Sequence, residues 1–271
     1  MSMQDYRTCI FCDGKGLTKQ HILPDWLKTI LPREGQSHEQ LITRTEVDEN
    51  PPRMTLTPIK KNGHTWSRKA RNVCGNCNSG WMSLIETKAK LNLTALISGD
   101  KTLLDEEAQL NLANWVTLST IMAEYTDLQH KAISEDEQKE FYQHKKPLDN
   151  WKIWIGKYRG TQWDQRYRHH GLMTVKKNTP LPKEKFANTQ ASTFVLGELF
   201  IHATSSTEPL VELTNPYDLR HTMIPIWPLQ RQKLRWPPIE VFTPTFSDEE
   251  VNTIADEVIH LYEFYNPNSE K

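Results

Sequence analysis

Asn72-Val-Cys-Gly-Asn-Cys-Asn-Ser-Gly-Trp-Met-Ser-Leu-Ile-Glu86 is a CxxC followed at once by an asparagine and then by the first turns of a helix. Cys9 and Cys12 form a second CxxC near the N-terminus, and these four are the chain's entire cysteine content. Thiolates two residues apart in a tight turn grip one side of a metal, and two such pairs complete a tetrahedral four-cysteine zinc site. The sequence places 61 residues between Cys12 and Cys74, so the metal closes a long loop. Closure costs roughly 4 kcal/mol, against an apparent ~10–16 kcal/mol from structural zinc in small peptides. The metal therefore decides the fold of this region. The competing reading is a redox pair or plain core cysteines, and zinc is preferred because the two pairs complete one ligand set.

Outward from that stretch, Cys9-Ile-Phe-Cys12 runs into Asp13-Gly14-Lys15-Gly16, glycines that let the backbone fold back as a knuckle. Leu17 to Pro24 follows as an extended segment carrying His21, and Trp26, Leu27, Ile30 and Leu31 fit a short helix. Residues 33 to 65 are polar and proline-broken, with strand-like pieces at 40–45 and 54–59, an insertion between the halves of the site. After Cys77 the spacing of Trp81, Leu84, Ile85, Leu91 and Ala95 predicts a helix from Asn78 to about Ile97, ended by Ser98-Gly99-Asp100.

The next helix is predicted over 105–125, capped by Asp105, and a shorter one opens at the Ser134 to Glu137 capping box and stops before Pro147. From Trp151 the texture becomes strand-like: 151–158, 171–176 and a single buried strand over 193–203 are expected. Prolines and tryptophans between 223 and 244 imply edge or irregular strands, and a last helix starts at the Ser247 to Glu250 box. The expected class is α+β, divided into a unit over 1–100 and a C-terminal α+β region over 101–271.

At 37% hydrophobic and 25% charged residues the chain is polar but globular. It has neither a run of about 20 apolar residues nor an apolar core in the polar stretch Met1 to Arg7, so a cytoplasmic protein with no membrane association is expected. Net charge is −1, which excludes a uniformly basic nucleic-acid binder. Charge is local instead. Lys60, Lys61, Arg68, Lys69 and Arg71 crowd the approach to Cys74, with His64 and Trp66 between them. Lys152, Lys157, Arg159, Arg166, Arg168, Lys176 and Lys177 alternate with Trp151, Trp154, Tyr158, Trp163 and Tyr167. Cations for phosphates beside aromatics for bases are what a nucleic-acid surface needs. His64, His169 and His170 lack a companion pattern and read as surface residues or phosphate contacts, and the C-terminal tryptophans read as packing.

Hydrolysis of a phosphodiester needs a base for water, a divalent cation on the phosphate and side chains that fix both. His21 is the candidate base, Asn78 offers a carbonyl oxygen at a helix start, and Glu86, eight residues on, is either a further ligand or a surface charge.

The order CxxC, Thr18-Lys-Gln-His-Ile-Leu-Pro24, then CxxC-Asn with Gly80-Trp-Met resembles the HNH (His-Me finger) endonucleases that carry a four-cysteine zinc, over roughly residues 7 to 90. The resemblance implies a zinc-clamped ββα-metal unit that cuts DNA, less often RNA. It makes His21 the general base and Asn78 a ligand of Mg²⁺ or a related cation, while Cys9, Cys12, Cys74 and Cys77 hold structural zinc. The family usually has Asp or Glu directly before the base; here that residue is Gln20, an amide that offers no charge to a hard dication. Slower, more metal-demanding cleavage is the expectation, with Glu86 as compensation. The alternative is a zinc-containing module that binds nucleic acid or protein and no longer cuts. The habits of such nucleases add a phage or bacterial defence setting, with residues 101–271 contacting substrate, a protein partner or a second copy.

Overall fold

In the computed structural model the described residues are 8–31, 37–46, 53–62, 68–125, 131–163, 166–172, 187–207, 219–239 and 244–264; for 37–46, 53–62, 220–221 and 257–264 the description is of backbone only. His64, Trp66, Lys176 and Lys177 lie outside them, as do the side chains of Lys60 and Lys61.

The first knuckle leads into β1 (Leu17–His21), and a 3₁₀ turn follows at Asp25–Thr29. The insertion is an antiparallel ribbon of β2 (Ser37–Glu46) and β3 (Arg53–Asn62), paired from Ser37↔Asn62 to Glu46↔Arg53. β4 (Lys69–Cys74) then returns antiparallel to β1, with Leu17 opposite Cys74 and His21 opposite Lys69. A bulge between Thr18 and Gln20 gives β4 one extra residue. The helical run after it has three parts: the turn α1 (Gly75–Cys77), a π turn at Asn78–Met82 kinked at Gly80, and α2 (Ser83–Ile97). Met82, Ile85, Ala89, Leu93 and Leu96 are buried along α2. Gly99, at φ +70°, ends it: its N–H bonds Leu96 O at 3.2 Å and that of Asp100 bonds Ala95 O at 2.8 Å. That is a Schellman stop, which glycine permits in the left-handed region.

β5 (Thr102–Leu104) precedes α3 (Glu106–Glu124), whose Asp105 cap accepts from Ala108 N at 2.9 Å. α4 (Glu135–His144) carries the expected capping box of Ser134 and Glu137. A six-stranded sheet makes up the remainder: β6 (Trp151–Tyr158), β7 (Arg166–Leu172), β8 (Thr189–Leu196), β9 (Leu199–Ser206), β10 (Ile224–Trp227) and β12 (Thr245–Phe246). Its order is β10-β6-β9-β8-β7, with β12 parallel to β6. α5 (Leu219–Thr222) precedes β10, β11 (Leu234–Trp236) pairs with β5, and α6 (Asp248–Phe264) opens on the Ser247 and Glu250 box.

Strand alternation divides the sheet's residues between two cores. Ile153, Ile155, Phe194, Leu196, Ile201 and Ala203 join the cluster that contains α3, α2 and both cysteine pairs. Trp154, Tyr158, Val195 and Phe200 join Val251, Ile254 and Ala255 of α6 on the other face. The fold is thus mixed α+β with helices on both faces of the main sheet, and the larger cluster runs unbroken from Cys9 to Trp236, across residue 100.

Two strand expectations need correction. The single strand over 193–203 is two, β8 and β9, turning at Gly197 (φ +56°) and Glu198. Both strands are buried on both faces, so their apolar residues read as one run. The strand expected at 171–176 starts earlier, with β7 at Arg166–Leu172, where Arg, His and Tyr mask the alternation; residues 173–176 fall outside the description.

Candidate metal centre and the strand–helix site

The four cysteine sulfurs lie within 4.8 Å of one another. Cys12 Sγ is 3.6 Å from Cys74 Sγ and 3.4 Å from Cys77 Sγ, and all four cysteines are free thiols rather than disulfides. A tetrahedron of ~2.3 Å metal–sulfur bonds has edges of about 3.8 Å, so the donor set fits a closed zinc-type site. The first knuckle holds its shape through Cys9 N to Gly14 O at 2.8 Å and Asp13 N to Cys9 O at 2.9 Å. A Cβ on Gly14 would meet Cys12 Sγ at 3.2 Å and Cys74 Sγ at 3.4 Å, so a side chain there would crowd the sulfurs. Ile10 N to Asn72 O, at 3.0 Å, ties that knuckle to β4.

Burial pushes the Cys12 and Cys77 thiols up. It acts the same way on Cys74, but hydrogen bonds from the Cys77 backbone and neighbouring thiols outweigh it and hold that thiol low. A bound dication removes the burial cost by taking all four as thiolates. Four Cys residues are the only group of three or more Cys, His, Asp or Glu ligands that converge among the described residues.

Beyond the cysteines, β1 lies against the helical run through two polar pairs. Asn78 Nδ2 donates to Thr18 Oγ1 at 3.0 Å, and Thr18 Oγ1 donates to Val73 O at 3.2 Å. One strand period further on, Gln20 Nε2 donates to Glu86 Oε1 at 3.0 Å. Gln20 is buried. Burial pushes the Glu86 carboxyl up, opposed by the Gln20 amide. Gln20 and Glu86 are therefore brought together, whereas Asn78 is engaged at the other level of the strand. Eight residues of helix separate Asn78 from Glu86, about 12 Å at 1.5 Å per residue.

His21, next after Gln20, has a side chain 21% exposed, with Nε2 3.7 Å from Asp25 Oδ1. That is a charge contact, longer than a hydrogen bond. Asp25 is also ion-paired to Lys28, whose hydrogen bond is the largest influence holding the Asp25 carboxyl below its usual range. Asn72 is buried, and both its amide atoms lack a hydrogen-bond partner among the described residues.

The basic residues around Cys74 separate on inspection. Lys69, opposite His21, is exposed. Arg71 Nε donates to Leu17 O at 3.2 Å, and Arg68 sits over the Tyr167 ring at 5.4 Å. Lys60 and Lys61 lie in β3. In the second basic cluster, Trp151, Trp154, Tyr158 and Trp163 are buried in the cores, so they are packing residues rather than base-stacking surfaces. Arg168 pairs with Asp256 and covers Trp163 at 4.7 Å, and Lys157 pairs with Glu198 at 3.7 Å.

His169 and His170, expected at the surface, are interior. His169 Nδ1 is 2.7 Å from Ser192 Oγ, and its Nε2 is 3.3 Å from Oε1 of the fully buried Glu124, a charge contact without good hydrogen-bond alignment. Glu124 also accepts from Ala132 N at 2.8 Å and Ile133 N at 3.1 Å. His170 Nε2 is 3.2 Å from Asp256 Oδ1, on the opposite face of β7. His202 Nδ1 contacts Thr193 Oγ1 at 2.9 Å. Strand alternation over 166–172 was the available signal, since consecutive histidines must face opposite sides and each then needs a partner.

Aromatic rings cluster at Trp81, the fourth residue after Cys77. Phe11 packs against Trp81 with centroids 4.9 Å apart, and Tyr142 of α4 lies 5.5 Å from Trp81. No protein-family model, no curated protein and no solved structure matches the chain.

Proposed function

We propose that the zinc-clamped β1–β4 hairpin and the helix after Cys77 form an HNH-type nuclease unit that hydrolyses phosphodiester bonds in nucleic acid, DNA foremost. The observation that carries the reading is the Gln20 to Glu86 contact at 3.0 Å across strand and helix, with partly exposed His21 as the very next residue. The cysteine cluster supports it by fixing the start of both strand and helix.

In this reading neutral His21 takes the proton of the attacking water, and Asp25 stabilises the imidazolium that forms. Glu86 and the Gln20 carbonyl oxygen would hold a divalent cation such as Mg²⁺. That cation, when bound, neutralises charge on the phosphate and the leaving oxygen. Asn78, whose amide is given to Thr18, sets the start of the helix against β1. Lys69 beside His21, with Arg71 and Lys60 and Lys61 of the ribbon, supplies phosphate contacts that position the substrate.

A second reading is a zinc-containing module that binds nucleic acid or protein without cutting. It is favoured by Glu86 being the lone carboxylate in contact with Gln20, a thin ligand set for a hard dication. Cleavage titrated with Mn²⁺ separates the two: the nuclease reading expects Glu86→Gln to abolish the Mn²⁺ dependence together with the activity. Cleavage of the same rate and metal dependence in Glu86→Gln would remove Glu86 from the mechanism, and cleavage by neither protein would favour the binding module.

A further inference from the structure

Lys145 sits at the end of α4 in the left-handed conformation, φ +53°, where glycine is the ordinary residue. Its N–H bonds Phe141 O at 2.8 Å, so the turn itself does not require a lysine. What the lysine adds is its ammonium, which lies 3.7 Å from the Tyr142 ring centroid and 4.5 Å from that of Trp81. Trp81 is the fourth residue after Cys77, and its buried Nε1–H has no hydrogen-bond partner among the described residues. α4 touches the first knuckle as well: Lys139 Nζ is 3.4 Å from Asp13 Oδ2, and Tyr142 lies 6.4 Å from Phe11.

Four thiolates around one dication carry a net charge of −2 in an apolar setting, and such charge is costly unless donors and cations face it. We propose that α4 is part of the metal centre. Lys145 offsets the charge of the four-thiolate site, the Trp81 Nε1–H supplies a donor to it, and metal loading and the seating of α4 on the knuckles are one linked equilibrium. The N-terminal metal thereby governs where the C-terminal region docks. This rests on the four cysteines being a metal site, and it holds whether or not the unit cuts nucleic acid.

The test is Co²⁺ and Zn²⁺ affinity by competition with a chromophoric chelator, for wild type, Lys145→Gly, Lys145→Arg and Trp81→Phe. Lys145→Gly removes the charge while easing the backbone, so weaker binding without lower stability of the metal-free form isolates the electrostatic role. The expected result is binding about tenfold weaker or more in Lys145→Gly, near-wild-type binding in Lys145→Arg, and a shifted thiolate-to-cobalt absorption band in Trp81→Phe. Hydrogen exchange in 135–144 should accelerate when the metal is stripped from the wild type. Wild-type affinity in Lys145→Gly, or α4 exchange indifferent to metal, overturns the inference and leaves the metal site standing. A wild type that binds neither ion overturns both.

Discussion

The knuckle unit and the six-stranded sheet place their titratable side chains at different depths. In the sheet, His169 faces Glu124 and His170 faces Asp256 in the interior, one on each face of β7, each joining the sheet to a covering helix. In the knuckle unit the corresponding groups lie nearer solvent: one carboxylate meets one amide at Glu86 and Gln20, and the His21 and Asp25 side chains, 3.7 Å apart, are 21% and 61% exposed. A large core can bury titratable groups beside partners of its own. A two-stranded hairpin has little core of its own, leans on the shared cluster and on a four-cysteine group that could hold a metal, and leaves polar groups such as His21 and Asp25 near the surface.

The largest effect expected from breaking that contrast is loss of the metal. Cys74→Ser, or chelation, should unfold the β1–β4 hairpin and its helix junction while the sheet survives, because an apparent ~10 kcal/mol or more is removed from one unit. Hydrogen exchange read separately over 9–31 with 69–97 and over 151–206 checks it; uniform loss across both would mean that the shared core makes them one cooperative unit.

Next is Glu124→Ala, which strands His169 and the Ala132 and Ile133 amides in the interior. About 3–5 kcal/mol of destabilisation is expected in urea unfolding, and a change below 1 kcal/mol would show that the pair is not a closed structural contact.

Acid sharpens the comparison further. Burial, followed by the nearby His170, lowers the His202 pKa from 6.5 to about 3. Burial also lowers that of His170 despite Asp256. Folded pKa values below the unfolded ones mean the unfolded chain takes up protons first, so stability is full above pH 6.5 and falls as pH drops toward 3. The slope is about 1.4 kcal/mol per pH unit for His202, and His170 adds to it in the same direction. His202→Gln should flatten unfolding free energies measured between pH 7.5 and 5; an unchanged slope would assign the acid sensitivity elsewhere.

The smallest predicted effect is Gln20→Glu. Two carboxylates would then meet at the strand–helix contact, so metal-free stability should fall slightly while divalent-cation affinity rises about tenfold, measured by calorimetry. Unchanged affinity would mean that Gln20 does not limit the site.

The contrast also explains what could be read in advance. Both CxxC pairs, the helix from Asn78 and the caps at Asp105, Ser134 and Ser247 were legible because each is a short-range pattern with its own chemistry. The Gln20 to Glu86 contact was partly legible: the two residues were candidates, but 66 positions apart, and only the bulged β1–β4 register and the kink at Gly80 decide that they touch and that Asn78 meets Thr18 instead. β8 and β9 merged because the Gly197 turn is hidden between apolar strands. His169 and His170 were misplaced for a related reason: their carboxylates, Glu124 and Asp256, are 45 and 86 residues away, and no local spacing announces them. Lys145 at a glycine-like position was visible as a lysine but not as a strained one.

The most direct test of the account is plasmid and RNA cleavage by the zinc-loaded protein with Mg²⁺, Mn²⁺ or Ni²⁺, wild type beside His21→Ala. The account predicts cation-dependent cleavage by the wild type and a loss of at least about a hundredfold in His21→Ala, in line with removal of a general base. Undiminished cleavage in His21→Ala, or none by a folded, zinc-loaded wild type with any of these cations, would contradict it.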